Sequence, residues 1–168
     1  QQNDSQVDSL YALQFVWFRR AQCGACPQKS QRLTVNGRIV GVDEAGRGAL
    51  AGPVFVAAVL LDEAFPRDIL TDSKLLSAEQ RTLVYRQLLA SQSVIRVTHC
   101  SPATIDKINI FQATMRGMHR LITEFPHADV SFVVDGNHKP RTRKQVQAVV
   151  KGDLSVPQVS AASIVAKV

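Results

Sequence analysis

Asp43 and Glu44 are adjacent carboxylates that interrupt an apolar run at 39–42, and Gly46-Arg47-Gly48 follows almost at once. On an extended strand neighbouring side chains point to opposite faces, so both acids can serve one site only where the chain bends. Gly46 and Gly48 allow that bend and leave backbone N–H groups open to close approach by a ligand. Two hard oxygen donors beside a glycine-lined turn suit Mg²⁺ or Mn²⁺ with a phosphate bound between. The octet also reads as a surface acidic pair before a flexible loop, and taken alone it leaves both readings open.

The same grammar recurs. Runs rich in β-formers end at Asp43-Glu44, at Asp135-Gly136 and at Lys151-Gly152-Asp153. Loops converge at the carboxyl ends of strands in open α/β sheets, so acids from separate strands can meet there. Packed carboxylates repel unless divalent cations neutralise them. A single acid before glycine is an ordinary turn; the recurrence in a basic chain favours a metal site. Metal and phosphate together point to phosphoryl transfer, in which two ions about 4 Å apart activate water and stabilise the leaving oxygen. No side-chain nucleophile is then needed. His99, His119 and His127 lack paired spacing and read as packing or surface groups, while His138, close after Asp135, is the histidine to test. Lys139, Arg141, Arg143 and Lys144 follow Asp135, and Lys74 and Lys151 end other loops, an arrangement that gives a polyanion salt-sensitive affinity without sequence readout.

The elements that must carry these groups follow from periodicity and punctuation. Strands are predicted at 38–43, 54–61, 94–99, 130–134 and 148–150, the second buried on both faces. Ser77 with Gln80 forms a capping-box start for a helix ending near Ser91. Ser101-Pro102 opens a short helix. A longer helix from Asn109 carries Phe111, Met115, Met118 and Ile122 as a core stripe. Pro157 introduces an Ala-rich helix over 159–168. Strands alternating with helices give an α/β fold.

Composition bounds the answer. With 168 residues and 45% apolar content, the chain has room for one domain with a sizeable core. A net charge of +6 favours a polyanionic partner. Cys23, Cys26 and Cys100 make no disulfide framework, which fits a reducing cytoplasm. No apolar run reaches the ~18 residues of a membrane span. Residues 1–36 differ from the remainder and read as a weakly ordered extension, with the catalytic domain at 37–168. Cys23-x-x-Cys26 resembles half a zinc site, but no second close pair completes it.

Gly41-Val42-Asp43-Glu44-Ala45-Gly46-Arg47-Gly48, Asp72-Ser73-Lys74, Ile105-Asp106-x-x-Asn109-Ile110, Val134-Asp135-Gly136-Asn137, Val150-Lys151-Gly152-Asp153 and Ser160-Ala161-Ala162-Ser163-Ile164-Val165-Ala166-Lys167-Val168 together resemble bacterial ribonuclease HII over about residues 37–168. The resemblance implies a ribonuclease-H-like fold, a mixed five-stranded sheet flanked by helices. It implies a divalent-metal-dependent endoribonuclease, with Mg²⁺ or Mn²⁺. Its substrates would be the RNA strand of RNA–DNA hybrids and duplex DNA carrying ribonucleotides, incised on their 5′ side. It further implies Asp43, Glu44 and Asp135 as catalytic metal ligands. Gly46, Arg47 and Gly48 would approach the ribose 2′-hydroxyl, and Lys74 and Lys151 would hold phosphates. The expected state is a monomer. In the family a further aspartate follows the Ala-Lys-Val segment, so the sequence reads as a C-terminally shortened member. Beside an enzyme stands the alternative of a non-catalytic hybrid-binding module. A small-molecule phosphatase is disfavoured, having no need of the Gly46-Arg47-Gly48 turn.

Overall fold

Gly41 is where the architecture is decided. A Cβ placed there would lie 2.0 Å from the backbone carbonyl carbon of Gln158, so only glycine lets the last helix lie against the first strand. The computed structural model describes residues 33, 34, 37–70 and 72–168. The extension at 1–36 therefore lies almost wholly outside the described residues, as do Cys23 and Cys26.

Its strands are β1 (Arg38–Ala45), β2 (Val54–Leu60), β3 (Val94–Cys100), β4 (Val130–Asp135) and β5 (Val146–Val149). Its helices are α1 (Ala78–Ala90), α2 (Pro102–Ile108), α3 (Ile110–Glu124), the single turn α4 (Gly152–Ser155) and α5 (Pro157–Lys167). One five-stranded sheet runs in the order β3-β2-β1-β4-β5. β1 pairs antiparallel with β2, and β2 with β3, whereas β4 runs parallel to β1 and β5 parallel to β4. The mixed sheet flanked by helices expected from the resemblance is what is found.

Alternation along β1 and β4 assigns the two faces. Val40, Val42, Phe132 and Val134 join Met118 and Ile122 of α3 in one core. On the other face Ala57 and Val59 of β2 pack with Val84 and Leu88 of α1 and Ile164 and Val165 of α5. Each of these side chains larger than alanine contributes about 1.5–3 kcal/mol on full burial. The predicted stripe on α3 is core: Met118 and Ile122 are buried and Met115 packs against the same cluster. Phe111 is half-buried instead, with His138 edge-on to its ring at 5.1 Å.

Local chemistry sets the ends. Ser77 accepts from the Gln80 N–H while the Gln80 side chain accepts from the Ser77 N–H, the reciprocal cap expected for α1. Asn109, at φ 64°, caps α3 by accepting from the Gln112 N–H. β1 runs to Ala45, beyond its expected end, because Glu44 and Ala45 stay in register with Val56 and Phe55. β5 starts earlier than predicted, at Val146, where it pairs with Phe132. The Lys151-Gly152-Asp153 stretch is no simple turn. Lys151 takes the left-handed conformation at φ 57° and starts α4. Among the described residues no helix is long and apolar enough to cross a membrane.

Candidate active site

β1 and β4 lie side by side and point the same way, with Val42 opposite Val134, so Asp43 and Asp135 are the next rung at the carboxyl ends of both strands. Gly41, two residues before Asp43, lies against α5, and Val133, two before Asp135, packs with Val159 of that helix. Period-two alternation therefore puts both aspartates on the α5 face. Residues far apart in sequence are joined by strand pairing.

Asp43 is buried, 5% exposed. Its Oδ1 accepts from the Glu44 N–H at 2.8 Å, and the Ser163 hydroxyl bonds the carboxyl group from α5. Burial pushes its pKa up from 3.8 to about 7; the carboxylates of Glu44 and Asp135 push the same way, against the two hydrogen bonds. Asp135 is half-buried and also raised, by burial first and then by the negative charge of Asp153. Backbone N–H groups of Gly152, Asp153 and Gly136 oppose that shift; the Gly152 N–H donates to Asp135 Oδ1 at 2.7 Å.

The bend expected at the acidic pair is absent, because β1 continues through Glu44 to Ala45 and the chain turns only at Gly46; the Glu44 side chain is 13% exposed with Arg47 Nη1 at 3.0 Å from Oε1. The turn between them is built on Gly46 at φ 101°, where a Cβ would come within 2.6 Å of the Pro53 carbonyl oxygen. A Cβ at Gly48 would meet nothing within 4 Å, so that side of the turn is open. Arg47 thus bends back onto Glu44 across the turn, and Glu44 gains a counter-charge of its own.

The expected phosphate-binding lysines differ in their engagement. Lys74 Nζ lies 3.3 Å from Asp153 Oδ2, and the charge of buried Asp153 is the main cause of its raised pKa. Lys151 is exposed. In the basic stretch after Asp135, two members are committed to local structure. Lys139 Nζ donates to the Val146 carbonyl at 3.0 Å, and Lys144 reaches the Phe125 carbonyl at 3.5 Å and the Phe132 ring. Arg141 and Arg143 are exposed.

Sequence reasoning passed over the groups behind the carboxylates. Asp153 stood in the acid-and-glycine grammar but not in the site. Ser73 and Ser163 are fully buried with their hydroxyl oxygens 2.8 Å apart, and Lys167 Nζ donates to Ser163 Oγ at 2.6 Å. The available signal was polar serine on an otherwise apolar, Ala-rich helix face.

Asp43 and Asp135 are hard oxygen donors, the negative charge of Asp135 helps to raise the Asp43 pKa, and a divalent cation beside them would relieve that repulsion; the donor chemistry fits Mg²⁺ or Mn²⁺. Among the described residues no three acidic, histidine or cysteine side chains already enclose an ion; Arg47 holds Glu44 and the Gly152 N–H holds Asp135. A separate cleft of about 310 Å³ lies between β3 and α3, lined by Thr98, Ser101, Arg116 and Arg120 among others, and none of the three carboxylates borders it.

The family model described as Ribonuclease HII matches residues 40–168. The Ribonuclease HII of Bordetella pertussis is 50% identical over 129 residues, which are 77% of this chain and 64% of that protein. The chain thus spans less than two thirds of the length of that relative. The crystal structure of the ribonuclease H2 from Pyrococcus horikoshii OT3 superposes with a TM-score of 0.61 at 26% identity, over 78% of this chain and 71% of that one. Bst-RNase HIII in complex with Mn²⁺ shares the fold, with a TM-score of 0.56 at 20% identity over 93% of this chain and 61% of that one. Matched by the family model over most of its length, and at half its aligned positions identical to a curated relative, the chain belongs to the ribonuclease HII family.

Proposed function

We propose that this chain carries the catalytic face of a divalent-metal-dependent endoribonuclease. It would cut the RNA strand of RNA–DNA hybrids and duplex DNA on the 5′ side of an embedded ribonucleotide. The observation that carries the reading is the meeting of Asp43 and Asp135 at the ends of parallel neighbours, each with its pKa raised. Asp43, Glu44 and Asp135 are the residues that would hold Mg²⁺ or Mn²⁺. The ions would supply an activated water and neutralise charge on the departing oxygen of an in-line displacement.

The protein's own groups do the rest. Gly46, at φ 101° and close against the Pro53 carbonyl, makes the turn, and open Gly48 would let the backbone come within hydrogen-bonding reach of a sugar edge, where the 2′-hydroxyl distinguishes ribose from deoxyribose. Arg47, whose Nη1 donates to Glu44 Oε1, would fix that turn beside Glu44 for its approach to the same hydroxyl. Lys74 and Lys151, on loops at the same end of the sheet, hold phosphates and place the strand without reading its sequence. Hydrolysis breaks the bond from phosphorus to the 3′ oxygen. It leaves a 3′-hydroxyl on one fragment and a 5′-phosphate on the other.

A second reading, a hybrid-binding module without turnover, draws on the lack of a ready three-ligand cluster among the described residues. Incubating the chain with a duplex carrying one ribonucleotide, with Mg²⁺ or Mn²⁺, separates the two. Cation-dependent nicking that Asp43→Asn abolishes supports the enzyme. Salt-sensitive binding with no nick at any cation concentration supports the module.

A further inference from the structure

Beside Asp43 lies a chain of polar groups that the proposed chemistry does not use, buried at Ser73 and Ser163 and half-exposed at Lys167. Ser163 Oγ sits within hydrogen-bonding distance of Lys167 Nζ at 2.6 Å and Ser73 Oγ at 2.8 Å, and it bonds the Asp43 carboxyl group. A serine hydroxyl has one proton and two lone pairs. An ammonium group only donates, so Lys167 occupies one lone pair. Ser73 Oγ, fully buried, has Ser163 Oγ as its hydrogen-bond partner. If Ser163 gave its proton to Ser73, the Ser73 proton would be stranded and Asp43 would lose its side-chain donor. All the buried groups are satisfied only when Ser73 and Lys167 both donate to Ser163 and Ser163 donates to Asp43.

We propose that Ser163 and Lys167 are positioning residues for metal binding: the Lys167 ammonium, acting through the saturated Ser163 hydroxyl, locks one orientation of the Asp43 carboxylate and presents its remaining lone pairs to the cation. The inference rests on the metal reading above. Hydrogen bonds to a ligating carboxylate from groups that do not touch the metal govern affinity by about 10–100-fold. The relay runs from one helix end to one strand end, so α5 determines both the packing of β1 and the aim of its acid.

The test is a Mn²⁺ titration by calorimetry at fixed pH on the full chain, with Asp43→Asn as reference. Ser163→Ala should weaken Mn²⁺ binding by about 10-fold or more. Lys167→Met, at a half-exposed position where the fold is not at risk, should weaken it in the same direction. Combined with Ser163→Ala it should add nothing, because the lysine acts only through that hydroxyl. A hydroxyl with a purely structural role would lower the unfolding temperature in chelator and leave Mn²⁺ affinity unchanged. Loss of binding in Asp43→Asn with wild-type affinity in Ser163→Ala overturns the relay and spares the metal reading, and so do additive effects of the two relay variants. Unchanged Mn²⁺ binding in Asp43→Asn, or none in the wild type, overturns both.

Discussion

Replacing Asp43 by asparagine should stabilise the metal-free protein at high pH and destabilise it at low pH. Burial raises the Asp43 pKa from 3.8 to about 7. Between those values the folded state holds a proton that the unfolded chain has released, so this group favours folding most below its unfolded pKa, and that contribution is lost as pH rises to about 7. At 1.36 kcal/mol per pKa unit, the span costs the folded state about 4 kcal/mol by about pH 8. Asparagine cannot ionise, and its Oδ1 still accepts the Glu44 N–H. Its amide has no lone pair to offer the Ser163 proton if it turns Nδ2 toward that hydroxyl, a loss of about 1–2 kcal/mol at any pH. The variant should therefore be about 2–3 kcal/mol more stable than wild type at about pH 8 and about 1–2 kcal/mol less stable at about pH 4. Urea unfolding in chelator at both pH values reads the difference directly, and the change of sign is the signature. Excess Mn²⁺ should reverse the order at high pH, since a ligand at about 1,000 times its Kd adds about 4.1 kcal/mol to wild type and little to the variant. A stability difference that does not change with pH would refute the reasoning, because it would mean that Asp43 is not held against ionisation.

The remaining predictions concern other parts of the fold. Gly41→Ala sets a Cβ against the Gln158 backbone, which has no side chain to swing aside; chemical denaturation should show a loss of about 3 kcal/mol or more, or no folded protein. Ser77→Ala removes the hydroxyl half of the reciprocal cap on α1 and should cost about 1 kcal/mol in the same assay, with metal affinity untouched. Affinity for a hybrid duplex should fall steeply with salt, and Lys151→Ala should lower the slope of log K against log salt by about one without changing sequence preference, as a fluorescence-anisotropy series would report.

Much of this was legible in local chemistry. The apolar run into Asp43, the buried run of β2, the Ser77–Gln80 cap and the Met118–Ile122 stripe each depend on residues a few positions apart, and each appears where expected. The two strand-end aspartates could also be chosen, because an acid at the end of a β-rich run is a local signal. The engagement of the basic stretch was not legible. Lys139 and Lys144 read as free cations, but both reach backbone carbonyls that only β5 and the end of α3 bring near. Lys151 read as the end of a loop, while its left-handed backbone starts a helical turn whose Gly152 N–H serves Asp135.

The sequence by itself determined which elements form and which residue types stand at their ends, since hydrophobic period, caps and turn chemistry act over one or two turns of chain. Only tertiary structure decided that β4 lies parallel to β1, that Asp43 and Asp135 therefore share a rung, and that Ser73, Ser163 and Lys167 close behind them. The physical reason is separation. Those partners are up to 92 and 120 positions apart in the cases of Asp135 and Ser163 with Asp43, and no local rule couples them. Their meeting follows from burying two apolar faces of one sheet, with Gly41 leaving room for α5 to come down on it.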